Sequence, residues 1–272
     1  MTDVGMCPAT LMADFMSPSG DDVRAAVDVS VRAGATAASM MAMHVPAFGG
    51  LEQAASALKA AGLRTACVEA ALSWANGDQA AAQLEGKQLA ETAAALGSPL
   101  IMAVCLEESL QDIDTARDNL AVVVAEARDA GAKVVVEFLP WTGIPNLATA
   151  WALVEPLGPD AGVLIDTWHW QRQPGGPNLA LLSSIPGERI PYVQMCDAAP
   201  GTSTDMVEAM TGRLLPGDGI VDFATLIATL KQNGADPFIA PEVFNPGLVA
   251  ELGADAFAKG GVSRSKQLFD AA

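Results

Sequence analysis

The feature that most constrains this chain is its punctuation by glycine. Gly34, Gly62, Gly97, Gly131, Gly158 and Gly234 each close an Ala-, Leu- or Lys-rich stretch, and each precedes a short apolar run. Glycine best suits the left-handed position just past a helix C-terminus, so the spacing predicts a series of helix ends, each followed by a strand. The runs that follow are residues 37–43, 63–68, 100–106, 134–139, 163–165 and 238–243, and two more, 5–11 and 190–195, bring the set to eight.

Short length and β-branched content, as in Val134-Val135-Val136, favour strands buried on both faces. Between the runs lie segments of helical period. Ile113, Ala116, Leu120, Val123 and Ala127 share one helix face, as do Phe223, Leu226, Ile227 and Leu230 after a cap at Asp222. Strands alternating with helices make parallel βαβ units, which need cover on both faces. An open doubly wound sheet and a closed (β/α)8 barrel both satisfy this, and eight units in about 250 residues is the usual barrel size. No GxGxxG follows the first run and no GxxxxGK[ST] occurs, which removes the usual nucleotide reasons for an open sheet. The expectation is an α/β fold, one TIM barrel domain over residues 1–272, with 200–211 as an extra loop.

Composition narrows the partners. The 272 residues are 51% hydrophobic, enough for a sizeable core, and carry 15 basic against 32 acidic side chains, a formal net charge of −17. Nucleic-acid grooves and anionic membrane surfaces need clustered Lys and Arg, so neither partner is expected. No basic segment leads into an apolar stretch at the start, and no window approaches a membrane span, so the chain reads as cytoplasmic. Cys7, Cys67, Cys105 and Cys196 are widely spaced without a CxxC pair and read as reduced strand fillers. A homo-oligomer is left open.

Barrel active sites sit where strands end and βα loops begin. The fifth run ends in Glu137, the sixth in Ile165-Asp166, the seventh in Val193-Gln194 and the eighth in Pro241-Glu242. Read singly, each is an ordinary strand-end cap. Together, three carboxylates and a carboxamide converge with only Arg172, Arg189 and Arg213 in the nearby loops to neutralise them. Buried carboxylates need a countercharge. A divalent cation supplies one, and an all-oxygen donor set suits Mg2+ or Mn2+ better than a sulfur-and-imidazole zinc site.

These segments resemble the xylose-isomerase-like TIM barrels, the superfamily of sugar isomerases and epimerases, hydroxypyruvate isomerase, inosose dehydratase, 3-dehydroshikimate dehydratase and endonuclease IV. The resemblance is carried by Glu137-Phe138-Leu139-Pro140, Asp166-Thr167-Trp168-His169, Gln194-Met195-Cys196-Asp197, the stretch from Arg213 to Gly219, and Pro241-Glu242. It implies that Glu137, Asp166, Gln194 and Glu242 hold the metal and that Glu137 and Glu242 also act as acid and base. It further implies that His169 contacts substrate and that Arg213 clamps a substrate oxygen. Where many sugar epimerases carry histidine as third ligand, this chain has Gln194, a departure closer to hydroxypyruvate isomerase and the 3-dehydroshikimate dehydratases.

The chemistry expected of such a site is enolisation. A cation on a carbonyl and its neighbouring hydroxyl acidifies the proton between them and stabilises an enediolate. Return of the proton elsewhere gives isomerisation or epimerisation of a small polyhydroxylated carbonyl compound; loss of a β-hydroxyl gives dehydration, of the 3-dehydroshikimate or keto-inositol type. With only His44 and His169, an endonuclease-type multi-metal site is disfavoured. His44 could reach the mouth as a substrate contact or serve as a loop residue. Trp141, Trp168 and Trp170 follow ligand positions and suit an apolar wall or rim packing. Glu69 and Glu107 end strands on the substrate side or face solvent, and Asp197 is placed to orient Gln194 or Arg213.

Overall fold

The structure, a computed structural model, describes residues 3–272. Seven parallel strands, β1 (Ala37–Met41), β2 (Arg64–Ala71), β3 (Leu100–Val104), β4 (Lys133–Glu137), β5 (Ala161–Asp166), β6 (Tyr192–Met195) and β7 (Phe238–Pro241), pair in sequence order. Helices lie between successive strands, as parallel pairing requires. The eighth run does not form a full strand. Val4 bridges Ile239 of β7 and Met6 bridges Ala38 of β1, both parallel, so the N-terminal segment closes the ring. Its amides alternate sides: Gly5 donates to Ile239, Met6 to Ala37 and Cys7 to Pro241. Pro8 then opens a 3-10 turn, Pro8–Leu11. Proline has no N–H for a ladder, which is why a strand over 5–11 is cut short.

Helices end where glycine predicts. Gly62 and Gly97 are left-handed caps at φ 73° and 66°, and the amide of Ser98 closes back onto the Ala93 carbonyl. The two expected amphipathic helices form as Ile113–Asp129 and Phe223–Gln232. Asp222 caps the second by accepting from the Thr225 amide at 3.0 Å. Among the described residues, no helix is long and apolar enough to cross a membrane. All four cysteines are buried and free.

The core has two layers set by the strand pleat. Val134, Val136, Val163, Ile165, Val193 and Ile239 face the surrounding helices. Cys67, Val135, Leu164, Tyr192 and Ala240 fill the barrel interior. Two residues further along each strand, the inward positions are Glu69, Glu137, Asp166, Gln194 and Glu242. The same alternation that fills the barrel therefore aims one polar side chain from each of five strands into a common layer at its C-terminal end.

Candidate metal and active site

Glu137 and Asp166 are the last residues of β4 and β5; Gln194 lies one residue inside the end of β6, and Glu242 follows β7 directly. All four are buried. Asp166 is the most firmly held: its Oδ1 accepts the amides of Trp168 and His169, both at 2.9 Å, capping the short helix Thr167–Arg172. Its Oδ2 takes Arg213 at 2.7 Å. The same Arg213 nitrogen reaches Glu242 Oε2 at 3.1 Å and the Glu242 carbonyl at 3.0 Å, and Nε donates to the Ala209 carbonyl. One guanidinium thus ties β5, β7 and the helix Met206–Thr211 together.

His169 completes the cluster. The second terminal nitrogen of Arg213 lies 3.2 Å from His169 Nε2, and Glu137 Oε1 lies 3.5 Å from that same Nε2. Arginine has only donors, so Nε2 accepts and the ring proton sits on Nδ1, which has no partner among the described residues. Burial and Arg213 hold the imidazole down at about 3, against the pull of Asp166, so the ring is neutral at neutral pH. Trp141 and Trp168 stand edge-on to it at 5.3 and 5.4 Å between ring centres.

The carboxyls carry the reverse perturbation. Burial, then the charges of Glu242 and Asp166, push Glu137 well above the ordinary carboxyl range. Burial raises Glu242 to about 7 despite the opposing Arg213. Three buried acids, Glu137, Asp166 and Glu242, surround Arg213, which Asp166 and Glu242 hold protonated against the cost of burial, and Glu69 adds a fourth buried acid to the layer.

A divalent cation would correct that surplus, and one orphaned atom fits it. Gln194 Nε2 donates to Glu242 Oε1 at 2.7 Å, leaving the fully buried Gln194 Oε1 without a partner. A carboxamide oxygen held free among carboxylates is a hard-ion ligand. Glu137, Asp166 and His169 present ligand atoms within 4.8 Å of one another, and so do Cys7, Glu69 and Glu242.

Other expected residues are placed differently. His44 Nε2 lies 2.6 Å from the Phe15 carbonyl, stapling two loops. Trp168 is wholly buried with Arg172 over its ring, and Trp170 packs in the outer core. Asp197 does not bond Gln194 or Arg213 through its side chain. Its carboxylate accepts the amides of Ala198, Gly217, Gly219 and Val221, fixing the loop after Arg213. A Cβ at Gly219 would lie 2.5 Å from Asp197 Oδ1, so only glycine fits there. Glu107 Oε2 takes the Cys105 thiol, 3.3 Å away. Glu69 lies within β2 rather than at its end, because the strand runs on past residue 68 to Ala71. The signal for its place in the polar layer is pleat parity with Cys67.

A family model described as xylose isomerase-like TIM barrel matches residues 23–261. A 3-dehydroshikimate dehydratase of Pseudomonas putida is 30% identical over 161 residues, 57% of this chain and 25% of that protein. An inosose isomerase of Halalkalibacterium halodurans is 29% identical over 173 residues, 60% of this chain and 59% of that protein. The chain therefore matches about a quarter and about three fifths of the lengths of these two relatives. Among solved structures, the IolI protein with a bound zinc atom superposes with a TM-score of 0.83 at 19% identity, covering 99% of each chain.

Proposed function

The chain belongs to the xylose isomerase-like TIM barrel family, and we propose that it is a divalent-metal-dependent isomerase or epimerase of a small polyhydroxylated carbonyl compound. The observation that carries this reading is the inward layer of Glu137, Asp166, Gln194 and Glu242, with the Gln194 carboxamide oxygen left free. These four would hold the cation, and their all-oxygen character supports Mn2+ or Mg2+. A cation there would polarise a substrate carbonyl and its adjacent hydroxyl, acidify the proton on the carbon between them, and stabilise the negative charge that develops.

The chain's own groups supply the proton transfers. Glu137 and Glu242 are buried carboxyls of unequal character, one raised well above the ordinary range and one near neutrality. Such a pair divides acid from base at neutral pH. Glu242 in its ionised form takes the α-proton, and Glu137 returns one to the neighbouring carbon or the opposite face. Neutral His169 offers its free Nδ1–H to a substrate oxygen, while Trp141 and Trp168 keep water from that side. Arg213 holds Asp166 and Glu242 in register and bonds to the helix that covers them. Four free thiols suit a cytoplasmic location.

A second reading, a dehydratase of a cyclic hydroxy-ketone, is favoured by Gln194 as the third donor and by the matched dehydratase. Both readings begin with the same proton abstraction. Incubation of Mn2+-loaded protein with candidate ketoses and cyclic keto-polyols in deuterated water separates them. Solvent deuterium at an α-carbon at constant skeleton marks isomerisation or epimerisation, and loss of 18 mass units marks dehydration. Turnover with neither α-exchange nor loss of water would contradict both.

A further inference from the structure

Glu69 is a buried acid to which the arrangement above gives no role. It stands on β2 two residues past Cys67, facing the same interior layer as Glu137 and Glu242. It is 2% exposed, and a carboxylate oxygen lies within 4.8 Å of ligand atoms of Glu242 and Cys7. Neither of its oxygens has a well-formed hydrogen bond among the described residues, the Ser39 hydroxyl being the neighbouring polar group that lowers its pKa. A buried carboxyl left unsatisfied is destabilising. A ligand hydroxyl satisfies a carboxyl in either protonation state, since it both donates and accepts.

The cations around this layer are already engaged. Three arginines are buried. Arg189 donates to the Ala161 and Val154 carbonyls at the opposite end of β5. Arg172 directs its terminal nitrogens to the Ala199 and Gly201 carbonyls and to Glu208. All three nitrogens of Arg213 are bound to Asp166, Glu242, His169 and Ala209. Away from the cation, an anionic substituent on the ligand would find no disengaged arginine among the buried ones.

We propose that Glu69 binds a hydroxyl of the substrate and restricts the site to uncharged polyhydroxylated ketones, excluding carboxylated and phosphorylated ones. This rests on the enolising site proposed above and narrows it toward ligands whose ring or chain bears hydroxyls alone.

The test uses two non-reacting six-membered rings, myo-inositol and shikimate, titrated calorimetrically into Mn2+-loaded protein. Myo-inositol is expected to bind at least tenfold more tightly than shikimate. Glu69→Gln is expected to weaken myo-inositol about tenfold and to narrow the ratio, at unchanged manganese content; Glu69→Asp, which keeps the carboxyl, is expected to keep the preference. Equal or tighter binding of shikimate overturns the proposal, and so does undetectable binding of myo-inositol or an unaltered preference in Glu69→Gln. A preference for myo-inositol without α-exchange on any ketone would sink the enolising reading while supporting the role of Glu69. Solvent exchange on 3-dehydroshikimate would do the reverse.

Discussion

From β4 to β7, the inward strand-end residues are tied to one another: Asp166 accepts two backbone amides and Arg213, Glu242 accepts Arg213 and Gln194, and His169 bridges Arg213 toward Glu137. In the other half of the barrel, the same layer holds Cys7 and Glu69, the latter equally buried and without a well-formed hydrogen bond among the described residues. One pleat rule thus delivers polar groups on both sides, and the sides treat charge in opposite ways. The second half fixes its carboxylates around an arginine and leaves a carboxamide oxygen free among them, the arrangement proposed above to hold a cation. The first half leaves a carboxyl for a ligand to satisfy.

That contrast is broken most severely at Arg213. Arg213→Met removes the countercharge of Asp166 and Glu242 and is expected to cost about 3–5 kcal/mol in metal-free protein by chemical denaturation. Added Mn2+ should recover much of the loss, because the cation replaces the missing charge. A cost under about 1 kcal/mol would mean that the second-half network is not what balances these acids.

Glu69 predicts the opposite sign. Burial and the Glu242 charge raise its folded pKa from 4.5 to about 8, so the folded state holds a proton that the unfolded chain has lost between those values. Its contribution to stability is therefore fully present below pH 4.5 and lost as pH rises toward 8. In metal-free protein, Glu69→Gln should be more stable than the parent by about 4 kcal/mol at pH 8 and indistinguishable from it at pH 4. Equal stabilities at pH 8 would place a partner on Glu69.

Two smaller effects sharpen the second half. Asp197→Ala removes the acceptor of four amides and should cost about 2 kcal/mol, with a larger fall in kcat than in KM, as the loop that carries Arg213 loosens. Asp222→Ala, at the cap of the helix Phe223–Gln232, should cost about 1 kcal/mol and leave metal affinity unchanged. A loss of metal affinity there would mean that the site depends on general rigidity of this half rather than on its own bonds.

The barrel was legible because its cues are local. A glycine past each helix and an apolar run after it survive any tertiary arrangement, and the parity that buries Val135 and Leu164 also aims Glu137 and Asp166. The N-terminal run misled because apolar content outweighed Pro8, whose missing N–H ends the ladder. Partners were not legible. Nothing in the spacing says that Asp197 collects amides from residues 217–221, that Arg213 lies among Asp166, Glu242 and His169, or that His44 meets Phe15, since each pairing depends on how separate loops fold over the mouth. Glu69 was seen only as a strand end, because the length of β2 is set by its pairing with β1 and β3, not by its own residues.

Glu137, Asp166, Gln194 and Glu242 are proposed to form one site for a divalent cation. Titration of metal-stripped protein with Mn2+, followed by the loss of free-ion electron paramagnetic resonance signal, tests it directly. The account predicts one tight equivalent per chain, weakened about 10–100-fold in Gln194→Ala and abolished in Asp166→Ala at retained fold. Undiminished Mn2+ binding in both variants would contradict it.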